Sequence, residues 1–180
     1  MGNRLSWRSL TVWGIVAFLL VILGLGLLDS SATRPEAGAE APTFDMTFFN
    51  GYEWETTTQA NLSELQGNVV VLNFWASWCV ECRLEADSLQ ATAEKYADED
   101  VIFLGIAWTD TAPKSFEYMD EFKITYPNAP DIGLEIGEKY EITGIPETFF
   151  IDKNGQIAQV VIGPVDDEIL DGVITALLEN

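Results

Sequence analysis

The sequence predicts an α/β domain behind a single transmembrane helix. The domain is a central mixed β-sheet with helices on both faces and an N-terminal β-hairpin extension. Three observations predict it. Short apolar runs alternate with helical stretches in the order strand, helix, strand, helix, before a closing hairpin and a last helix. Near the N-terminus, Leu10 to Leu28 is 19 residues without a charge. The only two cysteines, Cys79 and Cys82, follow one of the apolar runs and open a helix.

Residues 1–9 carry Arg4 and Arg8 and read as a cytoplasmic N-terminus. The apolar stretch 10–28 is long enough to span a bilayer as a helix. With a basic flank before it and Asp29 after it, the positive-inside bias puts everything beyond outside the cytoplasm. A cleaved signal peptide is the alternative, since Ser30-Ser31-Ala32 offers small residues, but signal cores run to only about 7–15 apolar residues. Either way the rest of the chain is exported. No cysteine lies near this segment to take a lipid. Residues 29–42 are rich in Ser, Ala, Thr, Glu, Gly and Pro and read as a linker. Residues 43–180 are then one domain, long enough for one good core.

Beyond residue 30 the chain holds 7 basic against 28 acidic residues, because the full count of 9 and 29 loses Arg4, Arg8 and Asp29. Nucleic acid is excluded as a partner and anionic lipid would repel such a domain. The plain meaning is a solvated acidic surface. Steering toward a basic partner is the sharper one.

Asn50-Gly51 between Phe44–Phe49 and Tyr52–Glu55 signals a hairpin, because both turn positions need positive φ. Asn61 to Leu65 reads as one helical turn, closed by Gly67. Val69 to Phe74 is a buried strand. The helix after it runs from Arg83 to about Tyr96, with Ala86, Leu89 and Ala93 on its apolar face. Val101 to Ala107 is continuously apolar, as a strand covered on both faces should be. Pro113 opens a helix to about Lys123, capped by Thr111 or Asp110, with Phe116, Met119 and Phe122 as its core contacts. A loop holding Pro127 and Pro130 and a short helix from about Leu134 to Tyr140 follow. Thr148–Asp152 and Gln156–Ile162 form a hairpin through Lys153-Asn154-Gly155. Asp166-Asp167 caps a last helix whose apolar face carries Leu170, Val173, Ile174 and Leu177.

The chemistry lies at Trp78-Cys79-Val80-Glu81-Cys82. A cysteine at a helix N-terminus gains thiolate stability from free N–H groups and the helix dipole. A second cysteine one turn on, on the same face, can close a disulfide with it. Two cysteines without any histidine cannot make a four-ligand zinc site. A structural disulfide over so short a loop would constrain the unfolded chain little. Dithiol redox chemistry is the reading that remains. Cys79 is the attacking thiol and Cys82 the resolving one. No metal or cofactor is expected beyond the redox-active Cys79–Cys82 disulfide itself.

Asn73-Phe74-Trp75-Ala76-Ser77-Trp78-Cys79-Val80-Glu81-Cys82 resembles the active-site segment of thioredoxin-fold proteins, and within them the membrane-anchored TlpA/ResA/CcmG group of thiol–disulfide oxidoreductases. Gly144-Ile145-Pro146-Glu147-Thr148 resembles that group's cis-proline loop. The resemblance covers about residues 42 to 180. It implies a thioredoxin-like fold and a cis Pro146 facing the cysteines, with Trp78, Ile145 and Pro146 contacting substrate. It also implies an acid on the helix past the second cysteine, here Glu85, exchanging protons with the thiols from an apolar neighbourhood near Trp75 and Phe149. The implied substrates are oxidised exported proteins such as apocytochrome c, and the implied electron donor is a membrane thiol-reductant transporter. Two departures stand out. Asn73 is an amide where many relatives have a buried acid. Glu81 stands where many have proline, and its charge should oppose ionisation of Cys79, with Arg83 as a candidate to offset it. A peroxiredoxin-like peroxide reductase and a non-enzymatic binding module are the rival functions. The first wants a Thr-x-x-Cys setting, where this chain has Ser77-Trp78 before Cys79. The second needs neither cysteine.

Overall fold

The computed structural model describes residues 7–28 and 34–179, as two units that are taken separately. The first is helix α1, Trp7–Leu28. Its described side chains are those of 11–22, where Val12, Trp13, Phe18 and Leu19 are all exposed. Among the described residues no helix is long and apolar enough to cross a membrane. Residues 1–6, 29–33 and the side chains at both ends of the expected 10–28 anchor lie outside the described residues.

The second unit begins at Arg34. Its elements are β1 (Asp45–Thr47), β2 (Gln59–Asn61), a 3₁₀ turn (Leu62–Leu65), β3 (Val69–Trp75), α2 (Cys82–Lys95) and β4 (Val101–Trp108), then α3 (Ala112–Glu121), β5 (Asn128–Asp131), α4 (Glu135–Lys139), β6 (Glu147–Ile151), β7 (Ile157–Ile162) and α5 (Asp167–Leu178). The main sheet has the order β5-β4-β3-β6-β7. β3, β4 and β5 are parallel, β6 runs against them, and β7, antiparallel to β6, runs in their direction again. This is a mixed sheet of the thioredoxin-like kind.

β3 is central and every residue of it is buried. Its alternation divides two cores. Val70, Leu72 and Phe74 face a layer with Phe44, Tyr140 and Phe149. Val71 and Trp75 face a second layer with Cys82, Leu89 and Leu170, roofed by α2, α3 and α5. Asn73 lies in the second register, so its amide points toward the cysteine side. Within the stretch read as linker, residues 34–42 run along the β6–β7 hairpin, with Gly38 N–H donating to Ile157 O and Ile157 N–H to Ala39 O, at 2.7 and 2.9 Å.

Three expectations are corrected. The Asn50-Gly51 turn forms, with Gly51 at φ 89°, but Tyr52–Glu55 does not pair with the strand before it. The backbone of the turn docks on β5 instead: Phe49 N–H donates to Asn128 O at 2.8 Å and Asn128 N–H to Tyr52 O at 3.0 Å. β1 therefore pairs antiparallel with β2, Met46 opposite Ala60. The expected loop at Pro127 and Pro130 contains β5, with Pro130 in register with Ala107. An edge strand tolerates proline because the missing N–H is not needed by a second neighbour. On α3 the buried residues are Ser115, Tyr118 and Met119, while Phe116 and Phe122 pack only partly.

Candidate redox site

Cys79 and Cys82 are joined as a disulfide, with Cα atoms 5.3 Å apart. β3 delivers the chain to the end of the sheet and α2 begins at Cys82. Glu81 precedes α2 with helical φ and ψ and makes no side-chain cap. The first free N–H of the helix therefore serves the sulfur: Cys82 N–H lies 3.0 Å from Cys79 Sγ. This is the helix-terminus contact expected to stabilise a Cys79 thiolate. Cys82 is wholly buried and Cys79 is 6% exposed, so Cys79 is the sulfur a partner can reach. Cys79 Sγ lies 3.7 Å from the carbonyl oxygen of Ile145. The Ile145–Pro146 bond is cis, as the resemblance implied. Trp78 is exposed, its indole N–H 3.4 Å from Thr109 O.

The loop before the cysteines is tied to the end of β4. The buried Asp110 carboxylate accepts from Ser77 N–H at 2.7 Å, Ser77 Oγ at 3.0 Å and Thr111 N–H at 2.8 Å. Asp110, expected only as a helix cap, thus holds the approach to Trp78 and Cys79. Tyr118 stacks on Trp75 at 4.3 Å and donates its hydroxyl to Cys82 O at 2.9 Å. Burial first, then the charge of Glu85, raises the Tyr118 phenol above its ordinary range, so it remains a donor.

Glu85 is 1% exposed. One carboxylate oxygen accepts from Asn73 Nδ2 at 2.8 Å and the other from Val165 N–H at 2.9 Å. Asn73 Nδ2 also reaches Thr148 Oγ1 at 3.0 Å. Burial pushes the Glu85 carboxyl up to about 7, against the lowering by the Val165 N–H and the Asn73 amide. Of the apolar setting expected near Trp75 and Phe149, Trp75 lies in the cysteine-side core layer, whereas Phe149 is corrected to the opposite layer, and the hydrogen-bond partners of Glu85 are neutral donors. The structure thus brings Cys79, Cys82, Glu85, Ile145 and Pro146 to one end of the sheet, with Trp78 at the rim.

Arg83 does not offset Glu81. Its guanidinium pairs with Glu121 and lies over the Phe122 ring at 4.9 Å. The burial of another acid beside the cis-proline was not foreseen. Glu147, directly after Pro146, is 1% exposed and pairs with Arg34. The acid stands in the quoted motif, but its partner is far off in a stretch that reads as linker. Among the described residues no cluster of His, Cys, Asp and Glu could hold a metal ion.

The model of the AhpC/TSA family matches residues 37–160. The thiol-disulfide oxidoreductase ResA of Bacillus thuringiensis (strain Al Hakam) is 33% identical over 177 residues, covering 96% of this chain and 95% of that protein. The thiol:disulfide interchange protein DsbE of Pseudomonas fluorescens biotype C is 33% identical over 171 residues, covering 90% and 89%. The crystal structure of a thiol:disulfide interchange protein of the thioredoxin family from Chlorobium tepidum TLS superposes with a TM-score of 0.69 at 27% identity, covering 82% of this chain and 99% of that one. With a reachable sulfur at a helix head, a buried partner one turn on and relatives named for this chemistry, the chain belongs to the AhpC/TSA family and is a thiol–disulfide oxidoreductase.

Proposed function

We propose that this chain is an exported, membrane-tethered reductase of disulfides in exported proteins, apocytochrome c among them, re-reduced by a membrane thiol-reductant transporter. The observation that carries the direction is the charge around Cys79. Glu81 is exposed beside it, Glu85 is buried one turn past Cys82, and no cation faces Glu81 because Arg83 turns to Glu121. Negative charge disfavours the thiolate and with it the reduced pair, and a pair whose reduced form is not stabilised is a good electron donor. The tether is supported by the apolar run 10–28 and by the exposed apolar side chains along α1, which need a non-aqueous surrounding.

In the reaction, the Cys79 thiolate attacks a substrate disulfide. The substrate S–S bond breaks, a mixed disulfide forms, and the leaving thiolate takes a proton. The Cys82 thiol then gives up its proton and attacks Cys79 sulfur. The Cys79–Cys82 bond forms, the second substrate thiolate leaves, and two electrons have passed to the substrate. Glu85, poised near neutrality, is the group offered for both proton transfers. The extended backbone at Ile145 and the Trp78 ring line the approach for a substrate strand.

The reduction potential of the pair tests the direction: a value below about −230 mV is expected, and one near −120 mV would make the chain an oxidant. Cys82→Ser should accumulate mixed disulfides on Cys79. Adducts recovered only on Cys82, in the Cys79→Ser protein, would reverse the assigned roles. Glu85→Gln should slow turnover by at least about tenfold; a pH–rate profile superimposable on the wild type would mean that the protons come from water. Protease added outside intact cells should remove the domain and leave the anchor, whereas a soluble mature form starting near Thr33 would indicate a cleaved signal.

A further inference from the structure

We infer that Glu81 is a specificity residue, which with the exposed apolar side chains around it selects disulfides flanked by lysine or arginine in an extended polypeptide. The inference rests on the reductase reading above and names its substrate class.

Val80 and Glu81 are the two residues between the cysteines, and both are exposed. Glu81 is exposed, and its carboxylate has no hydrogen bond or ion pair among the described residues. The neighbouring cation is spent elsewhere: Arg83 pairs with Glu121 and lies over Phe122. The same is true across the domain. Lys95, Lys114 and Lys153 pair with Asp171, Glu117 and Asp100. Arg34 pairs with Glu147, and Lys123 and Lys139 donate to the carbonyls of Asp120 and Thr43. Every Lys and Arg of the domain is thus engaged, while Glu81 stands uncompensated beside the reactive sulfur. A cation brought by the substrate is the charge that would complete it.

The apolar part of the surface is equally local. Trp78, Val80 and Leu84 are 58%, 73% and 72% exposed, and all three lie within two residues of Cys79 or Cys82 in the chain. A side chain such as lysine can lay its aliphatic stem on such a surface and put its ammonium on a carboxylate. An acidic flank would instead meet Glu81 with like charge in the same contact. The charge balance of the whole domain, net −21 beyond residue 30 from 7 basic and 28 acidic residues, adds long-range attraction of the same sign.

Two peptides, each with one internal disulfide and identical except for Lys or Glu on both sides of the attacked cysteine, test this on the full-length chain in detergent. The Lys peptide should be reduced with kcat/KM about ten times that of the Glu peptide, and the ratio should shrink to about twofold in ~0.5 M salt. E81Q should lower the ratio by about threefold. Because E81Q also alters Cys79 ionisation, the ratio of the two peptides within each protein is the readout, and an effect on the thiol alone cancels from it. Equal rates for the two peptides, or a ratio untouched by E81Q, overturn the assignment while leaving the reductase reading intact. Failure to reduce either peptide overturns the reductase reading, and the assignment with it.

Discussion

Glu85 and Glu147 are each 1% exposed, on opposite faces of the same sheet, and differ in what holds them. Glu85 sits on the cysteine face and is met by an amide and a backbone N–H. Glu147 opens β6 beside Pro146, and its neighbour along the strand, Thr148, faces the other way to bond Asn73. It is met by the guanidinium of Arg34, which also lies 5.9 Å from the Phe149 ring centroid. Burial penalises the charge of any carboxylate, and neutral donors give back only part of that penalty. A cation supplies a counter-charge, at the cost of its own desolvation. The difference teaches what burial does to each acid: Glu85, met by neutral donors alone, keeps a raised proton affinity, and Glu147 is tied through Arg34 to the N-terminal segment.

The largest effect should come from titrating Glu85. Its folded value, about 7, lies above its ordinary value of 4.5. As pH rises through that window the unfolded chain gives up the proton first, so stability falls with pH and levels off above about 7. The shift corresponds to a loss of about 3 kcal/mol. Denaturant unfolding of the oxidised protein at pH 5 and pH 8, wild type against Glu85→Gln, isolates this: the variant should lack that part of the slope. Equal slopes would put Glu85 in solvent.

Arg34→Met tests the other side. It keeps an apolar stem and removes the charge, leaving Glu147 buried without a cation. The expected loss is about 2 kcal/mol, below the ~3–5 kcal/mol of a fully buried pair because the Arg34 side chain is 25% exposed. Adding Glu147→Leu should restore most of it, since an apolar pair can replace an ionic one. If Arg34→Met costs nothing, the segment before Gly38 is held by its backbone alone.

What the sequence disclosed follows the range of the forces involved. The strand, the cysteines and the helix are consecutive, so their order alone placed Cys79 at a helix head and Glu85 one turn beyond Cys82. Pro146 was legible because the motif around it is local. Long-range partners were not. Nothing near Asn50-Gly51 announces that its backbone would be taken by Asn128, and nothing near Arg34 announces Glu147. Asp110 looked like a helix cap because its contact with Ser77 crosses from β4 to the cysteine loop. Tyr118 was not named among the core contacts of its helix, yet a phenol can be buried once its hydroxyl has a partner, and Cys82 O supplies one.

The smallest effect, and the finest test of the contrast, belongs to Asn73. Its Nδ2 donates to both Glu85 and Thr148, and that contact is one of the two that hold the Glu85 carboxyl down. Asn73→Leu removes the donor and roughly keeps the volume. The Val165 N–H remains, so Glu85 loses only part of its support. The carboxyl should then titrate higher by up to about one unit, equivalent to about 1.4 kcal/mol. The sign makes the cost pH-dependent. At pH 5 the carboxyl is protonated in the folded protein with or without Asn73, so the variant should lose only about 1 kcal/mol for the neutral contacts. At pH 8 the wild type holds the carboxylate with Asn73 and the variant does not, so the loss should grow to about 2 kcal/mol or more. Unfolding curves at the two pH values decide it. A penalty that is the same at both would mean that the amide serves Thr148 and packing only, and that burial and Val165 alone set the proton affinity of Glu85.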